Sequence, residues 1–345
     1  MKNILFSAII SLLLTNSYGQ IRIKAVGDIM VGSITPRKSL PTKPSIYKDS
    51  TAWMLDSADI TFGNLEGVFI TGDIEPQKCS EKSRAAKRCY EFGMPDTLSS
   101  ILKDIHIDLL SMDNNHNSDY GHQGVNFTKT LLDSLGIKYA AKKSPISYYI
   151  KDSIKIGVIA FGHSSISYHV SNLKNTKKVV AALDSTVDIL IVSFHGGAEG
   201  SKAIHIKDTT ETYYGENRGN IIKFAHTAVD AGADIVLGHG PHVLRGFELY
   251  KEKFIAYSLG NFLTHGNVNL RDHKGLTCVL DVNIDSNNGK FIDGKVIPVK
   301  QIGIGIPVYD KTAQSTKLLQ KLSTEDFPDS PLIISENGEI SIKQD

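Results

Sequence analysis

Carboxylate, carboxamide and imidazole side chains recur in this sequence where short apolar runs give way to glycine. Asp28 follows Gly27, and Asn64 and Glu66 follow Gly63. Asn115 and His116 close the run Asp113-Asn114-Asn115-His116. His195 precedes Gly196-Gly197, and His239 and His242 sit within Gly238-His239-Gly240-Pro241-His242. These oxygen and nitrogen donors suit borderline divalent ions such as zinc, manganese or iron. Glycine beside most of them lets the backbone turn sharply and approach closely. Each residue also has an ordinary explanation: Asp28, Asn64, Glu66 and Asn115 as turn formers, His116 as a hydrogen-bonded loop histidine, His195 as a satisfied core histidine. The repetition in series points instead to a metal centre of one or two ions. Glu199, past the His195 glycines, and Arg245, just past His242, read as contacts for a substrate carboxylate or phosphate, which a guanidinium fork matches well. A surface ion pair is the alternative for both. His163, after an apolar run ending at Phe161, faces the same edge.

Such donors converge only if the elements beneath them are aligned. Ile21 to Val26, Asp59 to Phe62, Ile107 to Met112, Lys155 to Phe161, Asp188 to Phe194, Asp234 to Leu237 and Lys253 to Tyr257 read as short buried strands. Asp96 to Lys103, Gly124 to Leu135 and Asn220 to Ala231 have helical spacing, the last two ending at Gly136 and Gly232 as left-handed caps. Strand, loop, helix, strand is the α/β pattern, with mixed strand directions left open. In such sheets ligands bind at the carboxyl ends of the strands. Beyond Asn269 two further strands, Leu276 to Val282 and Lys290 to Val299, flank a polar turn. From Asp310 a helix and then a polar tail follow.

The 345 residues carry a net charge of +1, so no strong field is aimed at nucleic acid or an anionic membrane. Residues 1–19 have the layout of a secretory signal peptide: Lys2, an apolar run from Ile4 to Leu14, then Ser17 and Gly19 before Gln20. The run is shorter than the roughly 20 residues that span a bilayer. In an exported chain, Cys79 and Cys89 are expected to close the basic loop between them as a disulfide, while Cys278 reads as a buried small hydrophobe. There is no Gly-x-Ser-x-Gly elbow and no Walker-type phosphate loop, which disfavours a serine hydrolase and a nucleotide site.

Gly27-Asp28-Ile29-Met30, Gly63-Asn64-Leu65-Glu66-Gly67, Asn114-Asn115-His116-Asn117, Gly238-His239-Gly240-Pro241-His242-Val243 and Ile255-Ala256-Tyr257-Ser258-Leu259-Gly260-Asn261-Phe262 resemble, in order, the motifs of the CapA family. That family is named for poly-γ-glutamate capsule biosynthesis and belongs to the calcineurin-like metallophosphoesterase superfamily. The resemblance covers roughly residues 21 to 268. It implies an α/β (α+β) fold, a four-layer metallophosphoesterase-like β-sandwich flanked by helices, over residues 20–268. Residues 269–345 would be a β-rich extension completing the domain. By the same resemblance Asp28 is the first-metal carboxylate, Asn115 the second-metal carboxamide, His116 the general acid, His195 and His239 second-metal imidazoles, and His242 a first-metal imidazole. The chain departs from the superfamily at Met30, where a histidine is usual, and at Asn64, where a bridging aspartate is usual; Glu66 is placed to supply the missing charge.

With the leader-like segment, this resemblance implies an exported, metal-dependent hydrolase working on an envelope polymer such as poly-γ-glutamate. The basic loop between Cys79 and Cys89 is a candidate contact for such a polyanion. Two alternatives stand beside it: a metallophosphoesterase of another substrate, and a non-catalytic polymer-binding protein of a capsule assembly machinery.

Overall fold

The apolar strands of this chain are hydrophobic on both faces, so each sheet must be covered on both sides. A computed structural model describes residues 19–343 apart from 87 and 152. The expected leader lies outside the described residues except for Gly19. One side of a ten-stranded sheet is made of the parallel strands Gln20–Met30, Ile60–Leu65, Leu109–Ser111 and, at the edge, Lys138–Ala140. On the other side of Gln20–Met30 it continues antiparallel through Leu276–Asp285 and Phe291–Ile302. A six-stranded sheet runs parallel through Ile154–Phe161, Ile189–His195, Ile235–His239 and Lys253–Leu259, with antiparallel edges Ile146–Ile150 and Leu244–Tyr250.

Alternation along the strands sorts side chains into three cores. Ile21, Ile23, Ala25 and Phe62 face Val158, Ile191 and Leu237 between the sheets. Val26, Ile29 and Leu110 turn the other way, against Met54, Leu102 and Leu132 of covering helices. Leu190, Val192 and Val236 meet Val180, Phe224 and Ala228 on the outer face of the second sheet. The result is helix, sheet, sheet, helix: the expected four-layer α/β sandwich. Truncating an intersheet residue such as Phe62 to alanine costs about 3–5 kcal/mol.

The helix Gly121–Ser134 ends before Gly136, at φ +69°, and the helix Ile221–Asp230 before Gly232, at φ +112°. Ser45–Leu55 and Leu173–Asp184 are further helices that the spacing did not reveal. The last helix, Gln314–Asp326, packs on the edge strand Leu244–Tyr250, where the Phe247 N–H donates to Ser323 Oγ at 2.8 Å. The tail beyond it is not a free polar segment. Leu332–Ile334 and Glu339–Ile342 pair and extend the ten-stranded sheet.

Five of the strands also run one to four residues further than the apolar runs suggest. Asp28, Asn64, His195 and His239 therefore sit on the last residues of strands instead of on the loops after them. Register then does the positioning: Asp28 lies beside Asn64 in one sheet, and His195 beside His239 in the other.

Candidate metal centre

Two tight backbone contacts bring the strand ends together. Asp28 N–H donates to the Gly260 carbonyl at 2.9 Å, and a Cβ on Gly27 would lie 1.9 Å from that oxygen. Across the other sheet Gly240, at φ +113°, has room for no Cβ, which would fall 2.7 Å from the Gly196 carbonyl. His242 two residues on holds φ +56°, a conformation that non-glycine residues adopt at a cost and that clusters at functional sites. Asn261 Nδ2 donates to the His242 carbonyl at 3.2 Å and helps hold that turn.

At the end of the ten-stranded sheet the polar groups bond to one another. Asn64 Nδ2 donates to Asp28 Oδ1 at 2.8 Å and to Glu66 Oε2 at 2.6 Å. Asn64 Oδ1 accepts from Asn114 Nδ2 at 3.0 Å. Asn114 also donates to the Leu65 carbonyl at 2.8 Å and accepts from His116 N–H at 3.0 Å. From the facing sheet His242 Nδ1 stands 2.8 Å from Asp28 Oδ2, His239 Nδ1 3.4 Å from Asp28 Oδ1, and His195 Nδ1 3.5 Å from Glu66 Oε2. Asp28, Asn64, Glu66, His195 and His239 are all buried.

Several of these atoms make no hydrogen bond within the protein. Both ring nitrogens of His195 and of His239, together with Glu66 Oε1 and Asn115 Oδ1, are buried without a hydrogen bond. A buried polar atom left unpaired costs about 1–3 kcal/mol, so the unpaired atoms of Glu66 and His195 suit a ligand between them. Donor atoms of Glu66, His195 and His242 lie within 4.8 Å of one another. One carboxylate and two imidazoles are a fitting set for a borderline divalent ion. The residues present therefore fit a metal.

Charge reinforces the arrangement. Burial pushes the Glu66 carboxyl up to about 8, with the Asp28 charge adding to it. Burial acts the same way on Asp28, but His239 and His242 more than reverse it and hold that carboxyl far below the usual range. Burial lowers His242, yet Asp28, Glu199 and Glu66 raise it to about 10. His195 is driven well below its ordinary value by burial and by His163.

A cleft of about 250 Å³ opens onto this group, lined among others by Glu66, His116, Glu199, His242, Asn261 and Lys274. His116 stands on its wall with Nδ1 2.7 Å from Asp119 Oδ2 and the Phe92 ring 4.4 Å away. That leaves Nε2 for a proton from the cleft. Burial lowers His116, partly offset by Asp119. Asp119 also accepts from Phe92 N–H at 2.7 Å and faces Lys78 at 3.0 Å. Sequence reasoning passed over Asp119, although a carboxylate three residues after a histidine was a usable signal.

Glu199 reaches the cleft, with Oε2 4.0 Å from His242 Nε2 and Oε1 3.0 Å from Arg218 Nη1. Arg218, buried and also missed, holds Glu216 at 2.9 Å. Arg245 is not a substrate contact. It is fully buried, and its guanidinium is spent on Glu211 at 2.7 and 2.8 Å and on the carbonyls of Ala203 and Ala198 at 2.7 and 3.2 Å. It fastens the segment that carries Glu199. His163 lies beneath the site, its Nδ1 3.3 Å from the His195 carbonyl. Cys79 and Cys89 are joined as a disulfide, and Cys278 is buried and free. The loop between the two cysteines spends part of its charge internally, since Arg84 pairs with Glu91 at 2.7 Å.

Sandwich, strand-end donors and cleft together define a metallophosphoesterase-like protein. The chain belongs to the family described as bacterial capsule synthesis protein PGA_cap, whose family model matches residues 22–265. It is 27% identical over 256 residues to the capsule biosynthesis protein CapA of Bacillus anthracis, across 69% of this chain and 58% of that one. It is 28% identical over 256 residues to the PGA biosynthesis protein CapA of Bacillus subtilis (strain 168), across 69% of this chain and 62% of the relative. A probable polyglutamine synthesis accessory protein of Mycobacterium tuberculosis is 26% identical over 200 residues, half of this chain and 49% of its own. The match thus spans about three fifths of the length of the Bacillus relatives.

Proposed function

We propose that this chain is an exported, metal-dependent hydrolase that processes an anionic envelope polymer of the poly-γ-glutamate type. The observation that carries this reading is the set of buried, unpartnered donors on Glu66 and His195, gathered with His242 at the floor of an open cleft. A divalent ion bound there supplies a Lewis acid for a carbonyl or phosphoryl oxygen. The chain's own groups do the rest. His116, held through Nδ1 by Asp119, gives or takes a proton at Nε2 on the cleft wall. Phe92 covers that ring from one side and limits water. Lys274, at the cleft rim, offers a cation to a polyanionic chain.

Export rests on the leader-like residues 1–19 and on the Cys79–Cys89 disulfide, which an oxidising compartment preserves. Among the described residues no helix is long and apolar enough to cross a membrane. The names of the Bacillus relatives support the polymer class.

The test is metal content of the purified, reconstituted protein, assayed beside poly-γ-glutamate chain length and a generic phosphodiester. Polymer shortening that needs metal and disappears in His116→Ala supports the reading. Ester cleavage without polymer shortening assigns a phosphoesterase. Absence of bound metal sinks both enzymatic readings and leaves a polymer-binding role.

A further inference from the structure

We infer that this chain holds a single divalent ion on Glu66, His195 and His242, with the Asn64 amide filling the point between Asp28 and Glu66 where a second cation would be shared. The inference rests on the metal reading above and adds how many ions the site takes and what Asp28 does there.

The hydrogen-bond network settles which way the Asn114 and Asn64 amides point. His116 N–H can only donate, and it meets Asn114 Oδ1 at 3.0 Å. The Leu65 carbonyl can only accept, and it meets Asn114 Nδ2 at 2.8 Å. Backbone polarity thus gives Asn114 one orientation. Its Nδ2 also faces Asn64 Oδ1 at 3.0 Å, which in turn orients Asn64. Asn64 Nδ2 therefore points its two hydrogens at Asp28 Oδ1, 2.8 Å away, and Glu66 Oε2, 2.6 Å away. An amide N–H carries no lone pair for a cation. The space between the two carboxylates is taken by donors.

Both Asp28 oxygens are already engaged, Oδ1 by Asn64 Nδ2 at 2.8 Å and Oδ2 by His242 Nδ1 at 2.8 Å. Metal-binding histidines commonly give their second ring nitrogen to a carboxylate, which fixes the ring and its tautomer. Asp28 is on this geometry a positioning residue: it aims His242 Nε2 at the ion. Glu66 keeps Oε1 without a partner, and His195 keeps both nitrogens. Donor atoms of Glu66, His195 and His242 all lie within 4.8 Å of one another, so small side-chain movements bring them around one ion at bonds of about 2.0–2.2 Å.

Full-length protein reconstituted with Mn2+ and freed of excess ion should retain about one equivalent per chain by elemental analysis. Its EPR spectrum should be that of an isolated ion. Asn64→Asp, which swaps the N–H donor for a charged acceptor of the same shape, should raise the content toward two equivalents and produce the spectrum of a coupled pair. Asp28→Asn should still bind one ion, roughly 10–100-fold more weakly, whereas Glu66→Gln should bind none at the same concentration. Two equivalents in the wild type, or a coupled spectrum, overturns the inference. So does an Asn64→Asp variant that stays at one equivalent with a native circular dichroism spectrum. No metal in the wild type is a different failure, that of the metal reading itself.

Discussion

At the end of the ten-stranded sheet Asp28, Asn64 and Asn114 spend their polar atoms on one another, while at the end of the six-stranded sheet the ring nitrogens of His195 and His239 make no hydrogen bond and come only within 3.5 and 3.4 Å of Glu66 and Asp28. Both groups are equally buried, so desolvation was suffered on both sides and repaid within the protein on only one. The difference separates scaffold from binding surface. A network whose members satisfy each other is rigid and holds geometry, whereas buried nitrogens without partners are stable only in view of what they bind. Glu66 stands between the two groups, with Oε2 in the network and Oε1 outside it.

The largest expected effect comes from the six-stranded sheet's exception. Arg245 satisfies its donors on Glu211 and two carbonyls. Arg245→Ala should lower the unfolding free energy by about 3–5 kcal/mol, read by denaturant titration, with loss of ordered structure around Glu199. If Arg245→Ala is as stable as the wild type, the claim that its bonds fasten this segment fails.

His195→Ala tests the unpartnered side. At an ion concentration about 100 times Kd, binding should stabilise the wild type by about 2.7 kcal/mol. The variant should gain nothing from the same ion in thermal unfolding. An equal gain would show that His195 is not a ligand.

Asn114→Ala probes the satisfied side. It strands the His116 N–H and the Leu65 carbonyl, at about 1–3 kcal/mol, and it should cost this in the metal-free protein as well. Metal dependence in that loss would erase the distinction between the two halves.

The smallest effect lies far from the site and extends the comparison to a third group. Asp310 accepts from Thr312, Gln314 N–H and Lys300 at the start of the last helix. Burial raises its carboxyl, but those donors outweigh it and hold it at about 2, below its ordinary 3.8. A carboxyl lowered in the folded state contributes stability above its unfolded value and loses it as pH falls toward the folded one. Between about pH 4 and pH 2 the wild type should therefore lose stability more steeply than Asp310→Asn, by pH-jump denaturation. Parallel curves would remove Asp310 as a cause.

The resemblance of the motif series indicated the family and the four-layer class, and the family model matches residues 22–265. Composition and periodicity went as far as placing carboxylates, amides and imidazoles at the carboxyl ends of buried strands. They could do so because strand burial and glycine turns are local properties, written in neighbouring residues. Arg245 shows the limit. Its neighbourhood in sequence is that of a site residue, and only its partners Glu211, Ala198 and Ala203, from another segment, make it structural. Arg218 escaped for the same reason through its pairing with Glu199, whereas Asp119 was missed although its partner His116 is only three residues away.

What the chain determined by itself was which chemical groups face the sheet edge. Tertiary structure alone decided which of them are already occupied. Parallel register put Asp28 beside Asn64 and His195 beside His239, and the sandwich then closed the two edges on each other. Whether a buried donor is a fixture or a ligand depends on partners dozens to hundreds of residues away, and no local pattern contains them.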